Sequence, residues 1–447
     1  MKKVIVFILS VLMLAGCAQS AAPADIVCIE AAYPPMAPYP NEEDFVDSST
    51  GLFDSEGFSK VYDAWRGNNQ IRQDVPEGYA HNLEAYFQQA LPALLNQDAE
   101  NQVCSPLNVY LALAMLAEST SGASRQEILD LLDSDSIESL RLQANRIWRS
   151  HYSADGASAC VLANSLWLNS ALTYDKTTVK RLTDDYYASV FQGPMGSPEI
   201  NQALQDWISR QTDGLLQEPA RNLNLDPQTA LALASTIYYR AKWGNEFSAD
   251  DNTEALFHAP SGGRKVTFMN RQLTYGPYFW GDGFGAVYLW LEGGAKMWLI
   301  LPDEGKTPAQ ILAGGQAARL VLGSWQESGA QKALRVNLSL PKFDVLGSTR
   351  LNDALQSLGI RTVFSPEAAD FSPILPGQAA WLGTADHAAR VKIDEEGVEA
   401  AAYTVMMAPG AAMPPEDEMD FVLDRPFLFV ITSRDDLPLF AGIVNEP

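Results

Sequence analysis

Alternation of apolar and polar residues at period two marks the clearest strands in this chain. Leu334, Val336, Leu338 and Leu340 alternate with Arg335, Asn337 and Ser339, and the run closes on Pro341-Lys342-Phe343. Leu162-Ala163-Asn164-Ser165-Leu166-Trp167-Leu168 reads as another strand. Arg425-Pro426-Phe427-Leu428-Phe429 and Pro438-Leu439-Phe440-Ala441-Gly442 read as buried ones. Helical spacing is plain at Leu83, Tyr86, Phe87, Ala90, Leu91 and Leu94, with Pro92 expected to kink or shorten that helix. Cys104-Ser105-Pro106-Leu107-Asn108 leads into an apolar helix running through Leu116. Gly122, Ser124 and Glu127-Ile128-Leu129 open the next one.

The most ambiguous pattern lies near the C-terminus. Arg390-Val391-Lys392-Ile393-Asp394 alternates as a strand and is followed by Glu395-Glu396-Gly397. Gly397 predicts a hinge, glycine being the residue type free to adopt positive φ. Beyond it Val398, Ala400, Ala402, Thr404, Met406 and Ala408 set small or apolar side chains on one face, and Glu399, Tyr403 and Met407 lie on the other. Pro409-Gly410 breaks the run, and the Pro-, Gly- and acid-rich sequence after it predicts an exposed loop. Glu399-Ala400-Ala401-Ala402 is also a strong helix former. Composition leaves helix, linker and strand all open here.

The N-terminus carries a different signal. Lys2-Lys3 and the apolar run Val4 to Ala15 predict a secretory signal, too short for an ordinary transmembrane helix. Its end, Leu14-Ala15-Gly16-Cys17, resembles the bacterial lipobox. That resemblance implies cleavage after residue 16, lipidation of Cys17 and attachment of an exported protein to the cell surface or envelope. Residues 17–76 are rich in Ala, Pro and acid and predict a weakly structured tether, with Phe45, Phe53, Phe58, Tyr62 and Trp65 able to pack on the domain.

The 447 residues, 47% hydrophobic, suffice for a large core. A net charge of −24, or −26 without Lys2 and Lys3, argues against nucleic acid as a partner. With Cys17 lipidated, Cys28, Cys104 and Cys160 form neither a disulfide framework nor a zinc motif. The histidines at 81, 151, 258 and 387 are too scattered for a metal site, and there is no nucleophile elbow or phosphate-cradling glycine loop. No enzyme activity, metal or cofactor is expected.

Glu395-Glu396-Gly397-Val398-Glu399-Ala400-Ala401-Ala402 resembles the reactive-loop hinge of the serpins. Further blocks resemble the family in order: Ser105-Pro106, Ala163-Asn164, Trp207 with Thr212 and Gly214, Ser235 to Trp243 with Phe247, and Leu299-Ile300-Leu301-Pro302. Pro341-Lys342-Phe343, Leu358-Gly359-Ile360, Asp370-Phe371-Ser372 and the two C-terminal runs continue the series. The resemblance implies an α+β serpin domain over residues 77–447, with three β-sheets, about eight or nine surrounding helices, and an exposed reactive loop at about 395–420.

The function it implies is suicide-substrate inhibition by a monomer. A serine protease attacks the loop and forms an acyl-enzyme, the cut segment inserts as a new strand of the main sheet, and the attached protease is distorted. Cysteine proteases are a second target class, since the trap also holds a thioester. The alternative is a non-inhibitory serpin acting as a surface binding or structural lipoprotein. Placing the hinge glycine fifteenth before the cut puts the bond at Ala411-Ala412, with Met407 and Met413 as competing sites. Alanine there implies elastase-like or subtilisin-like targets, and no Lys or Arg lies between Lys392 and Arg425. The resemblance also places His387 buried under the sheet opening with Ser105 nearby. Asn108 and Ser235 exchange the residue types common in the family, a swap expected to preserve a hydrogen-bond network. Lys342 and Glu395 are expected to pair beside Trp243. Val398 replaces the commoner Thr, and Gln205 a commoner Asn whose loss predicts a weaker local cap.

Overall fold

The structure, a computed structural model, describes residues 26–47, 50–73, 75–76, 78–80, 82–96, 100–156, 158–324, 330–383, 385–398 and 415–447. The signal peptide, Cys17, and the loop from Glu399 to Pro414 lie outside them. So do Ala400, Ala401, Ala402, Tyr403, Thr404, Met406, Met407, Ala408, Ala411, Ala412 and Met413.

The strands in chain order are β1 Val27–Ile29, β2 Gln102–Cys104, β3 Ser153–Ala154, β4 Ala159–Asn169, β5 Ala188–Gly193 and β6 Leu231–Lys242. Next come β7 Thr253–Ala259, β8 Gly262–Gly281, β9 Phe284–Trp290, β10 Lys296–Pro302, β11 Gln331–Pro341 and β12 Phe343–Arg350. The last are β13 Asp386–Ile393, β14 Gly397–Val398, β15 Glu418–Val422, β16 Phe427–Thr432 and β17 Pro438–Val444. The first seven helices are α1 Ser55–Gln73, α2 Leu83–Leu94, α3 Pro106–Ser119, α4 Gly122–Leu131, α5 Ile137–His151, α6 Lys176–Asp185 and α7 Pro198–Gln211. Four shorter ones bring the total to eleven among the described residues, against eight or nine expected; one is a single turn, Gln217–Ala220.

The main sheet runs β1-β5-β4-β6-β14-β13-β12, with β3 paired to β4. The two smaller sheets expected from the sequence are joined by the 20-residue β8, which pairs in turn with β7, β11 and β9. The result is one nine-stranded sheet, with β7 paired to β8 off an eight-strand path. Helix α3 runs through the centre: Ser105 caps it, accepting from Asn108 N at 3.2 Å, Pro106 starts it, and all but Ala112 of its residues are buried. Helix α7 covers the opposite face of the main sheet through Trp207 and Ile200, which cluster with Trp167, Phe191 and Ile26. Gln205 donates to Leu223 O at 3.0 Å, so the residue expected to weaken a local cap instead ties α7 to the following loop.

Residues 26–73 correct the expectation of a weakly structured tether. Strand β1 adds to the edge of β5, with Cys28 opposite Phe191, and α1 spans 19 residues against α5. Tyr33 packs at a tilt against Trp148, and Tyr39 meets Tyr62 and Trp65 edge-on. The aromatic residues overrode the polar composition, because their large apolar faces find partners on the domain. Among the described residues no helix is long and apolar enough to cross a membrane. Cys104 and Cys160 are buried, as small core side chains.

The hinge and the opening in the main sheet

Strands β6 and β13 touch directly only at one end. Ala234, Ser235 and Thr236 pair in parallel with Asp386, His387 and Ala388. At the other end β14 sits between them, antiparallel to both: Gly397 faces Lys242, and Val398 faces Ala241 on one side and Ile393 on the other. Between these contacts Ile237–Arg240 and Ala389–Lys392 have no ladder partner on the sides that face each other, among the described residues. The main sheet is therefore held at both ends of an opening, with the hinge wedged into one of them.

The wedge is built from short-range bonds. Asp394 turns the chain, its carboxylate accepting from Glu396 N at 2.9 Å and Gly397 N at 3.2 Å. Trp243 donates its indole N–H to Asp394 O at 2.8 Å and its backbone N–H to Glu396 O at 3.0 Å. Phe247 N donates to Glu395 O at 2.9 Å. Lys342 forms an ion pair with Glu395, whose carboxylate also accepts from Asn252. Partial burial alone would push the Glu395 carboxyl up, but the Lys342 and Asn252 donors outweigh it and hold the group below its ordinary value.

Gly397 is needed for a different reason from the one the sequence suggested. Its φ is not positive. A Cβ there would stand 2.4 Å from Ala241 O and 2.7 Å from the Lys242 Cα, so only glycine lets the hinge approach β6 this closely. Val398 is 2% exposed, the first of the six expected inward positions. The other five, with Glu399, Ala401 and the reactive bond, lie outside the described residues.

The other end is polar and buried. Ser105 N donates to His387 Nε2 at 2.9 Å, so the ring proton sits on Nδ1, which has no partner among the described residues. Desolvation lowers the His387 pKa to about 4 and keeps the ring neutral. Asn108 donates to Thr236 O at 2.7 Å, bridging α3 to β6, and accepts from Asn164 at 3.4 Å. Ser235 does not join this network: its Oγ is buried without a partner among the described residues, as are Thr236 Oγ1 and Asn164 Oδ1. The exchanged pair thus preserves one bridge but not a reciprocal one, because a serine on β6 is too short to reach back to α3.

Sequence reasoning missed Asp394 and Thr236 as parts of the site, and Asn164 as more than a strand residue. Asp394 had a usable signal, an Asp just before a glutamate pair and glycine. Thr236 takes part through its backbone carbonyl, which no side-chain pattern reports. Among the described residues no group of three or more His, Cys, Asp or Glu is placed to hold a metal ion.

Comparison with known proteins agrees with this geometry. A family described as "Serpin (serine protease inhibitor)" matches residues 84–447. The "Serine proteinase inhibitor A3K" of Cavia porcellus is 28% identical over 396 residues, covering 84% of this chain and 91% of its own. "Alpha-1-antiproteinase" of Rattus norvegicus is 27% identical over 361 residues, 78% of this chain and 84% of its own. The native-state structure of Tengpin, a thermophilic serpin, superposes with a TM-score of 0.73 at 24% identity, covering 84% of this chain and 95% of that one. Human thyroxine-binding globulin gives 0.72 at 21%, covering 83% and 99%.

Proposed function

The chain belongs to the serpin family, and we propose that it is a suicide-substrate inhibitor of serine proteases whose cleaved loop inserts between β6 and β13. Family members are generally protease inhibitors rather than enzymes. The observation that carries the reading is the wedge: two hinge residues already pair antiparallel with β6 at the mouth of an unpaired stretch. Continuing that register places Ala400 opposite Tyr239, Ala402 opposite Ile237, Thr404 opposite Ser235 and Ala408 opposite Leu231, the first residue of β6. Tyr239, Ile237 and Leu231 are buried on the core side, where small or apolar partners fit and a charge would carry a desolvation penalty of several kcal/mol. Residues 398–408 thus match β6 in length and parity.

Insertion of about a dozen residues, at roughly 1 kcal/mol per hydrogen bond plus side-chain burial, drives the change by about 10–20 kcal/mol gross. That is comparable with the whole stability of many domains. The uncut chain is therefore metastable, and hydrolysis of one bond releases it. The bait bond is Ala411-Ala412, suited to the shallow pockets of elastase-like and subtilisin-like enzymes, and a cysteine protease is held through the corresponding thioester. Cys17 anchors the exported protein, and only eight residues, nine Cα–Cα steps, separate it from Ile26, the first described residue. That spacing reaches at most about 30 Å.

Incubation with pancreatic-type elastase or subtilisin tests this. An SDS-resistant complex is expected, with the released C-terminal peptide starting at Ala412 by mass spectrometry. Clean cleavage with protease activity fully retained sinks the inhibitory reading for those targets and leaves the non-inhibitory surface lipoprotein. Cys17→Ala should move the protein from the detergent to the aqueous phase on partitioning.

A further inference from the structure

The N-terminal segment roofs a cavity that plays no part in loop insertion. Between α1, the end of α5 and the β3–β4 hairpin lies a space of about 340 Å3, within the size range of small-molecule sites. Cys160 of β4 and Tyr239 of β6 line it on the domain side. Three buried polar groups line it without a hydrogen-bond partner among the described residues. They are both amide atoms of Asn69, which is 6% exposed, the indole N–H of Trp65, and Nε2 of His151. His151 Nδ1 donates to Ile147 O at 2.7 Å, which leaves Nε2 as a bare acceptor. Buried polar groups in a folded chain are normally paired, so three in one cavity call for a guest.

The groups to be matched are two donors, Trp65 N–H and the Asn69 amide nitrogen, and two acceptors, Asn69 Oδ1 and His151 Nε2. The charges around the cavity balance, Arg66 and Arg434 against Asp155 and Glu292. A net-charged guest has no surplus of opposite charge to meet. A hydroxyl group donates and accepts at once, and the C–H groups of a ring polyol suit a lining that includes the aromatic Trp65 and Tyr239. We propose that this cavity binds a neutral polyhydroxyl molecule of monosaccharide or cyclitol size.

Saturation-transfer NMR on the full chain tests it with D-glucose, D-galactose, myo-inositol and glycerol as probes, and gluconate and glucosamine as charged counterparts. At least one neutral probe should give transfer signals and bind at least fivefold more tightly than the charged pair. Asn69→Leu and His151→Phe should each weaken it tenfold or more while leaving the thermal midpoint within a few degrees. That fold check does not depend on any protease, and where one variant fails to fold the other carries the test. No signal from any of the four neutral probes, signals that survive in the folded variants, or preference for a charged probe would each overturn the proposal.

Discussion

The two ends of the opening between β6 and β13 are built on opposite plans. At the hinge end most groups are paired: Asp394 caps its own turn, Trp243 and Phe247 bind three successive carbonyls, and Lys342 meets Glu395, leaving Asn252 Oδ1 as a buried atom without a partner among the described residues. At the closed end four buried polar atoms, on Ser235, Thr236, Asn164 and His387, have no partner among the described residues. A satisfied hinge holds the start of the loop in register. Under the proposed insertion, a poorly satisfied contact is the one that would give way as a new strand pushed β13 from β6, since leaving polar groups unpaired has already raised its energy. The fold places its weak contact at the point that the proposed insertion would have to break.

The strongest way to break this comparison is at the wedge. Val398→Arg puts a charge where the side chain is now 2% exposed. The variant should fold but be cleaved as an ordinary substrate, its stoichiometry of inhibition rising tenfold or more. Undiminished complex formation would show that the wedge does not seed insertion.

The closed end should respond to pH. The His387 pKa is lowered to about 4 from an ordinary 6.5, so the neutral ring favours the folded state fully above about pH 6.5. That contribution, about 3 kcal/mol, is lost as pH falls from there toward 4, because the unfolded chain takes up the proton first. His387→Gln keeps an acceptor for Ser105 N and should remove this part of the decline in denaturant midpoints measured from pH 7 to 4. An identical decline in both proteins would rule His387 out as its source.

Asn108→Ser removes the bridge to Thr236 O and should lower stability by roughly 1–3 kcal/mol, whereas Ser235→Ala, losing only an unpartnered hydroxyl, should be close to neutral. Equal effects of the two would erase the distinction drawn between the exchanged residues. The smallest change is expected at the hinge ion pair. With Lys342 about a third exposed, Glu395→Gln should cost less than about 1 kcal/mol, an effect that high salt masks in urea titrations.

The sequence alone determined the fold class and the hinge. Period-two and helical patterns follow from which face of each element is buried, and the alternation from Val398 to Ala408, which the proposed insertion requires, stands in the open. Ser105, His387, Lys342 and Trp243 were found the same way, because each is a distinctive residue type in a recognisable block. Only the tertiary structure decided why Gly397 is glycine: the close approach comes from Ala241 and Lys242, more than 150 positions away along the chain, and no local φ preference encodes it. It also decided that Asn108 reaches Thr236 while Ser235 stands unpaired, a matter of side-chain reach across two elements. The acidic segment read as a tether follows the same logic. Its composition was polar on average, but the pairing of Val27–Ile29 with β5 and the seating of Tyr33 on Trp148 depend on surfaces supplied by the rest of the fold.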